Sequence, residues 1–194
     1  MRALSDNGGR QNKSRMKTMD TLWHPQPVCG DARLRRWLLD RGSLTRRIQL
    51  RCDSFRLDVL SQSVATVHRE EHAAIGMRAN ARCLVREVSL NCGPLPLVFA
   101  HSVAPPRTLR GAWRMLSGLG TRPLGAALFA DPRITRFPLR FCQLNRRHML
   151  HKRACRLLDE SPAVLWARRS LFVLRGSPLL VTEVFLPAIL GLAP

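Results

Sequence analysis

The chain has 194 residues, 45% of them hydrophobic, and 32 lysines and arginines against 13 aspartates and glutamates give it a net charge of +19. That length and apolar content suit one domain with a real core, and they exclude a disordered chain. No apolar run approaches the roughly 18 positions of a membrane span, and the N-terminal MRALSDNGGRQNKSRMKTMD has no apolar segment of the secretory kind, so a cytoplasmic protein is expected.

Residues 1–22 are polar and aperiodic and read as a disordered basic tail, leaving 23–194 as a single domain. Asp31 is placed to cap a short helix with Leu34, Trp37 and Leu38 on one stripe and Gly42 as its stop. Extended segments are expected around Ile48 to Cys52 and from Phe55 to Val67, where Phe55, Leu57 and Val59 alternate with Arg56 and Asp58. Leu84 to Asn91 is a further strand, turned by Cys92-Gly93-Pro94 into Leu97 to Val103. Leu109, Ala112, Trp113, Leu116 and Leu119 form a helical stripe ended by Gly120, and Arg122-Pro123-Leu124-Gly125 opens a second short helix. Phe137 to Leu144 returns to strand, followed by a basic helical insert at 145–157. Two apolar strands then flank a tight turn at Arg175-Gly176-Ser177-Pro178. Hairpins with helices inserted between them define an α+β domain, a single antiparallel β-sheet with helices packed against it.

Two charged residues break this pattern. In the last strand, alternation puts Leu179, Val181, Glu183 and Phe185 on one face and Leu180, Thr182, Val184 and Leu186 on the other. Both faces are apolar, so the strand is central and Glu183 is forced into a dry environment, at a cost of several kcal/mol unless something pairs with it. Arg86 likewise shares a face with Leu84, Val88 and Leu90. The two are either a buried salt bridge or the polar ends of a pocket, where a guanidinium clamps a carboxylate and the Glu takes a hydroxyl; spacing does not choose between them.

Other motifs carry less. His68-Arg69-Glu70-Glu71-His72 matches the H-x-x-E-H pattern of zinc peptidases, but it follows a strand-like run and has no third ligand in a convincing helix. His148, His151 and Cys155 fall at helical spacing in a basic stretch and read as a solvated face. The six cysteines (29, 52, 83, 92, 142 and 155) include no C-x-x-C pair and are expected to be reduced. No metal is therefore expected. Phosphate-cradling, dinucleotide-binding and nucleophile-elbow motifs are absent from the sequence. Nearly all the charge is arginine, which suits a polyanion, an acidic surface or a small anionic substrate.

Six ordered blocks narrow the choice: Trp37-Leu38-Leu39, Ser43-Leu44-Thr45-Arg46-Arg47, Leu84-Val85-Arg86-Glu87-Val88, Arg122-Pro123-Leu124-Gly125, Leu165-Trp166-Ala167-Arg168-Arg169-Ser170, and Pro178 through Pro187. Together they resemble the chorismate pyruvate-lyase family of bacterial ubiquinone biosynthesis, over roughly residues 31 to 189. The resemblance implies a monomeric lyase converting chorismate to 4-hydroxybenzoate and pyruvate, with no cofactor. It implies substrate-binding roles for Leu44, Arg86, Leu124 and Glu183, with Arg86 and Glu183 catalytic. Ala167 stands where Gly is common, and the insert at 145–157 has no counterpart in shorter members.

A second class is a non-catalytic sensing domain like those of GntR-type transcription regulators, which share a related fold. Those regulators carry a winged helix-turn-helix ahead of the sensor, and the about 30 residues before the matching region are too few for one. Specific nucleic-acid binding has charge in its favour but no recognition motif.

Overall fold

The computed structural model describes residues 22–193. The expected tail, but for its last residue, lies outside them. Among these residues, seven strands form one antiparallel sheet: β1 (Phe55–Thr66), β2 (Arg82–Cys92), β3 (Leu95–Ala104), β4 (Thr135–Arg136), β5 (Arg140–Asn145), β6 (Val164–Leu174) and β7 (Ser177–Phe185). Their order is β1-β2-β3-β7-β6-β4, with β5 also pairing β6. The last strand in sequence is thus central, as its two apolar faces require.

The β6–β7 hairpin fixes the register of the site. Arg175 and Gly176 both have positive φ (49° and 72°), the backbone of a two-residue turn that matches strand twist. Leu174 then pairs with Ser177, and counting outward sets Arg168 opposite Glu183.

Both faces of the sheet are covered. On the front lie α1 (Ala32–Leu39), α2 (Leu44–Gln49) and α4 (Leu124–Ala130), with Trp37, Leu38, Leu44, Ile48 and Leu128 in the core. On the back, α3 (Arg69–Ala74) and α5 (Met149–Cys155) close the fold, and Leu150, Ala154 and Cys155 pack on Phe99, Ala167 and Val184.

Four local expectations are corrected. Residues 44–49 are helical rather than leading into a strand: Ser43 caps the turn by accepting from the Arg46 N–H, and Leu44, Thr45 and Ile48 are buried together. Residues 106–118 form two short 3₁₀ turns in place of one helix. The strand expected over 137–144 begins only at Arg140, as β5, with the two-residue β4 ahead of it at 135–136; Pro138 between them has no N–H to give a ladder. Finally, Cys52 and Cys92 form a disulfide, their Cα atoms 5.8 Å apart where the loop after α2 meets the end of β2. Cys29, Cys83, Cys142 and Cys155 lie outside the disulfide, the last three of them buried.

Candidate active site

Between the front face and its helical cover lies a partly enclosed cavity. Leu57, Val88, Leu90, Phe172 and Val181 form its apolar floor, and Leu44, Leu124, Leu128 and Phe129 its cover. Within the cover, α4 approaches the start of α2 closely because residue 125 is glycine: a Cβ there would sit 3.1 Å from the Ser43 Oγ. Three charged side chains line the cavity, Arg86, Arg136 and Glu183. The structure therefore brings Leu44, Arg86, Leu124 and Glu183, spread over 140 positions of sequence, to one enclosed space.

Arg86 is only 4% exposed. Its Nη1 donates to the Gln62 Oε1 and its Nη2 to the Gly120 carbonyl, each at 2.7 Å. Both partners are neutral, and no described carboxylate pairs with it. Burial alone pushes its pKa down, a sign that the cation is desolvated without compensation inside the protein.

Glu183 does not pair with Arg86. Its Oε2 accepts from the Nε of Arg168 at 2.5 Å, directly across the β6–β7 ladder. Arg168 is fully buried, and its Nη1 also donates to the carbonyls of Trp37 (3.0 Å), Leu38 (3.2 Å) and Asp40 (2.6 Å). These are the open carbonyls at the C-terminus of α1, where a cation satisfies both the acceptors and the helix dipole. Arg168 thereby holds Glu183 with one edge of its guanidinium and α1 with the other. The second carboxylate oxygen of Glu183 carries no protein hydrogen bond among the described residues.

Sequence reasoning did not single out Arg168, Arg136 or Gln62. For Arg168 a signal existed: it lies on the same strand face as Trp166 and Phe172, the criterion that flagged Glu183. Arg136 sits in a two-residue strand with no alternation to read, and Gln62 is polar on an edge strand.

The remaining motifs belong to the back face. Glu87, beside Arg86, points to the back, where His101 lies between Glu71 (Nε2 to Oε1, 3.0 Å) and Glu87 (Nδ1 to Oε1, 2.9 Å). Arg153 of the basic insert also bonds Glu87. Burial would lower the pKa of His101, but the two carboxylates raise it to about 9. Burial would raise that of Glu87, but His101 and Arg153 hold it at about 2. Glu70 accepts from the Trp23 indole and pairs with His148, with Arg169 stacked on the Trp23 ring.

The two imidazoles of the His68–His72 motif have separate partners. That of His72 is 2.7 Å from the Ala81 carbonyl, whereas His68 caps α3 and lies 3.9 Å from Glu70. The reading of His148, His151 and Cys155 as a solvated face is corrected. His151 and Cys155 are buried, and the imidazole of His151 meets the Pro162 carbonyl at 2.9 Å, because this stripe is the one α5 lays on the sheet.

The fold recurs in solved structures of low sequence identity. It is shared with the PhnF C-terminal domain (TM-score 0.53, 13% identity, 71% of this chain and 84% of that one). A GntR-family transcriptional regulator from Bacillus cereus is also similar (TM-score 0.51, 9% identity, 69% and 92%). At such identities the likeness is one of architecture alone.

Sequence comparison is more specific. The chorismate lyase family model matches residues 20–191, and this chain belongs to that family. It is 53% identical over 167 residues to a probable chorismate pyruvate-lyase of Nitrosomonas europaea, covering 86% of this chain and 94% of that protein. A probable chorismate pyruvate-lyase of Nitrosospira multiformis is 54% identical over 172 residues, with 88% and 96% covered.

Proposed function

We propose that the protein cleaves chorismate to 4-hydroxybenzoate and pyruvate, the first committed step of ubiquinone biosynthesis, in the cytoplasm and as a single domain over residues 23–194. The observation that carries this reading is Arg86: a buried guanidinium with only neutral partners, opening into an apolar cavity that also holds a carboxylate. Such a cation is stable mainly with an anionic ligand bound, and its planar fork suits a carboxylate. A chorismate-derived ring would place its carboxylate on Arg86, its hydroxyl on the free oxygen of Glu183, and its faces against Leu44 and Leu124.

In the reaction the ether C–O bond breaks, its electron pair leaving with the enolpyruvyl oxygen, and the ring becomes aromatic as the carbon bearing the hydroxyl loses its proton. That proton ends on the methylene carbon of the departing group, which makes pyruvate, so atoms and charge balance without an oxidant or reductant. Aromatisation drives the step, and the protein's contribution is to orient the substrate and exclude water. Glu183, held on one oxygen by Arg168, serves to fix the hydroxyl, and the proton passes within the substrate. The excess positive charge assists capture of a dianion.

Incubating purified protein with chorismate, without added metal, should yield equal amounts of 4-hydroxybenzoate and pyruvate. Tight binding of 4-hydroxybenzoate with no turnover of chorismate would instead favour a sensing domain.

A further inference from the structure

Chorismate has two carboxylates, and the reading above uses only one. Resting on that reading, we propose that Arg136 receives the second, the enolpyruvyl carboxylate, and so selects the dianionic substrate over the monoanionic product.

The sheet register places the two cations at opposite ends of the cavity. Arg86 pairs with Ser102, Ser102 with Val181, and Val181 with Ser170, a straight row across β2, β3, β7 and β6. Three inter-strand steps of about 4.8 Å separate the first backbone position from the last by about 14 Å, and side chains reaching inward from both ends span one small ring. Arg136 stands at the far end: its Nε donates to the Ser170 Oγ at 3.2 Å.

The Arg136 guanidinium is fixed, but its charge is not neutralised. Its Nη1 donates to the Arg41 carbonyl, and the group lies over the rings of Phe129 (5.1 Å) and Phe172 (5.5 Å). These are neutral partners. No described carboxylate forms an ion pair with it, and Nη2 has no protein acceptor among the described residues. Burial lowers its pKa and nearby Arg168 acts in the same direction, while Glu183 and Asp40 oppose them. Both arginines of the cavity thus share one condition, a desolvated cation held by neutral groups.

The order of groups matches the ligand. Across the sheet it runs Arg86 on β2, Glu183 on β7, then Arg136 beyond β6. In chorismate the ring carboxylate is opposite the hydroxyl, and the enolpyruvyl ether is on the carbon next to that hydroxyl. A ring with its carboxylate on Arg86 and its hydroxyl on Glu183 therefore directs the enolpyruvyl group toward Arg136. Arg136 and Phe129 also line a second cleft with Pro25, Gln26 and Arg41, so the enolpyruvyl end lies against the wall that the two share.

The test compares a dianion with a monoanion on the same proteins. Arg136→Gln should raise KM for chorismate about 10- to 100-fold, the loss expected for a charge-assisted pair, while Kd for 4-hydroxybenzoate changes by less than about 2-fold. Arg86→Gln should weaken both. Arg136→Lys keeps the charge without the fork, so chorismate KM should rise by a smaller factor, again with 4-hydroxybenzoate binding unchanged. Equal weakening of both ligands in the folded Arg136 variants would make the residue merely structural, and an unchanged chorismate KM would remove it from the site. Either result overturns this assignment while wild-type turnover stands. A wild-type protein that does not consume chorismate overturns the underlying reading as well.

Discussion

The two faces of the central sheet both bury charge, and they do it in opposite ways. On the back, Glu87, His101, Thr182 and Arg169 form one row across β2, β3, β7 and β6. There Glu71 of α3 and Glu87 of β2 each have a cationic partner within the protein, His101 of β3 for both and Arg153 of α5 for Glu87. On the front, one residue along each strand, Arg86 and Arg136 have only neutral partners, and Glu183 has one oxygen committed. A face whose charges are mutually satisfied contributes to holding the fold. A face with uncompensated cations around a cavity is arranged for a ligand that brings the missing negative charge.

Removing a partner on each face should therefore have different consequences. The largest effect on stability is expected at His101: His101→Phe leaves Glu71 and Glu87 buried without their shared cation, and should cost about 3–5 kcal/mol in urea unfolding. A loss below about 1 kcal/mol would show that the back face is not structural in this sense. Reduction of Cys52–Cys92, which ties the loop after α2 to the end of β2, should cost about 2–4 kcal/mol. A reductant should lower the Tm of the wild type and leave that of Cys52→Ser/Cys92→Ser unchanged; equal shifts in both would mean that the bridge is not formed in solution.

On the front face the effect should move from stability to binding. Arg86→Lys should weaken 4-hydroxybenzoate binding and lower kcat/KM for chorismate about 10- to 100-fold, with less than about 1 kcal/mol change in unfolding. Strong destabilisation with normal kinetics would erase the contrast between the faces. Glu183→Gln keeps the hydrogen bond to the substrate hydroxyl, so a fixing role predicts a fall in kcat of about tenfold or less, whereas general-base catalysis predicts about 10²- to 10⁴-fold.

The same back-face charges set the pH dependence of unfolding. The pKa of His101 is raised from 6.5 to about 9, so its contribution is complete below 6.5 and is lost as pH rises through about 9. That of Glu87 is depressed from 4.5 to about 2, so its contribution is complete above 4.5 and is lost as pH falls through about 2. Tm should be highest and flattest between about pH 4.5 and 6.5, and His101→Phe should lose the alkaline slope.

Much of the site is legible because strands β2 and β7 have strict alternation and few charges. Any cation or carboxylate on their apolar faces stands out, as Arg86 and Glu183 do. Arg168 was equally within reach: the two-residue turn at Arg175-Gly176 sets it opposite Glu183 by counting. Arg136 was not, since a two-residue strand has no period. The back-face network is illegible for another reason. Its members come from α3, β2, β3 and α5, and nothing local records that Glu71, Glu87, His101 and Arg153 meet.

The sequence by itself determined what needs only neighbours along the chain: the α+β class, the central position of β7, the tight turn before it, and the faces on which Arg86 and Glu183 lie. Tertiary structure decided what depends on strand order and on which helix covers which face. It paired Glu183 with Arg168, left Arg86 and Arg136 without carboxylate partners, joined Cys52 to Cys92, and turned the basic insert into part of a buried network. Alternation is a property of consecutive residues, whereas a charge is compensated by whatever the fold brings within about 4 Å, and that distance has no counterpart in sequence separation.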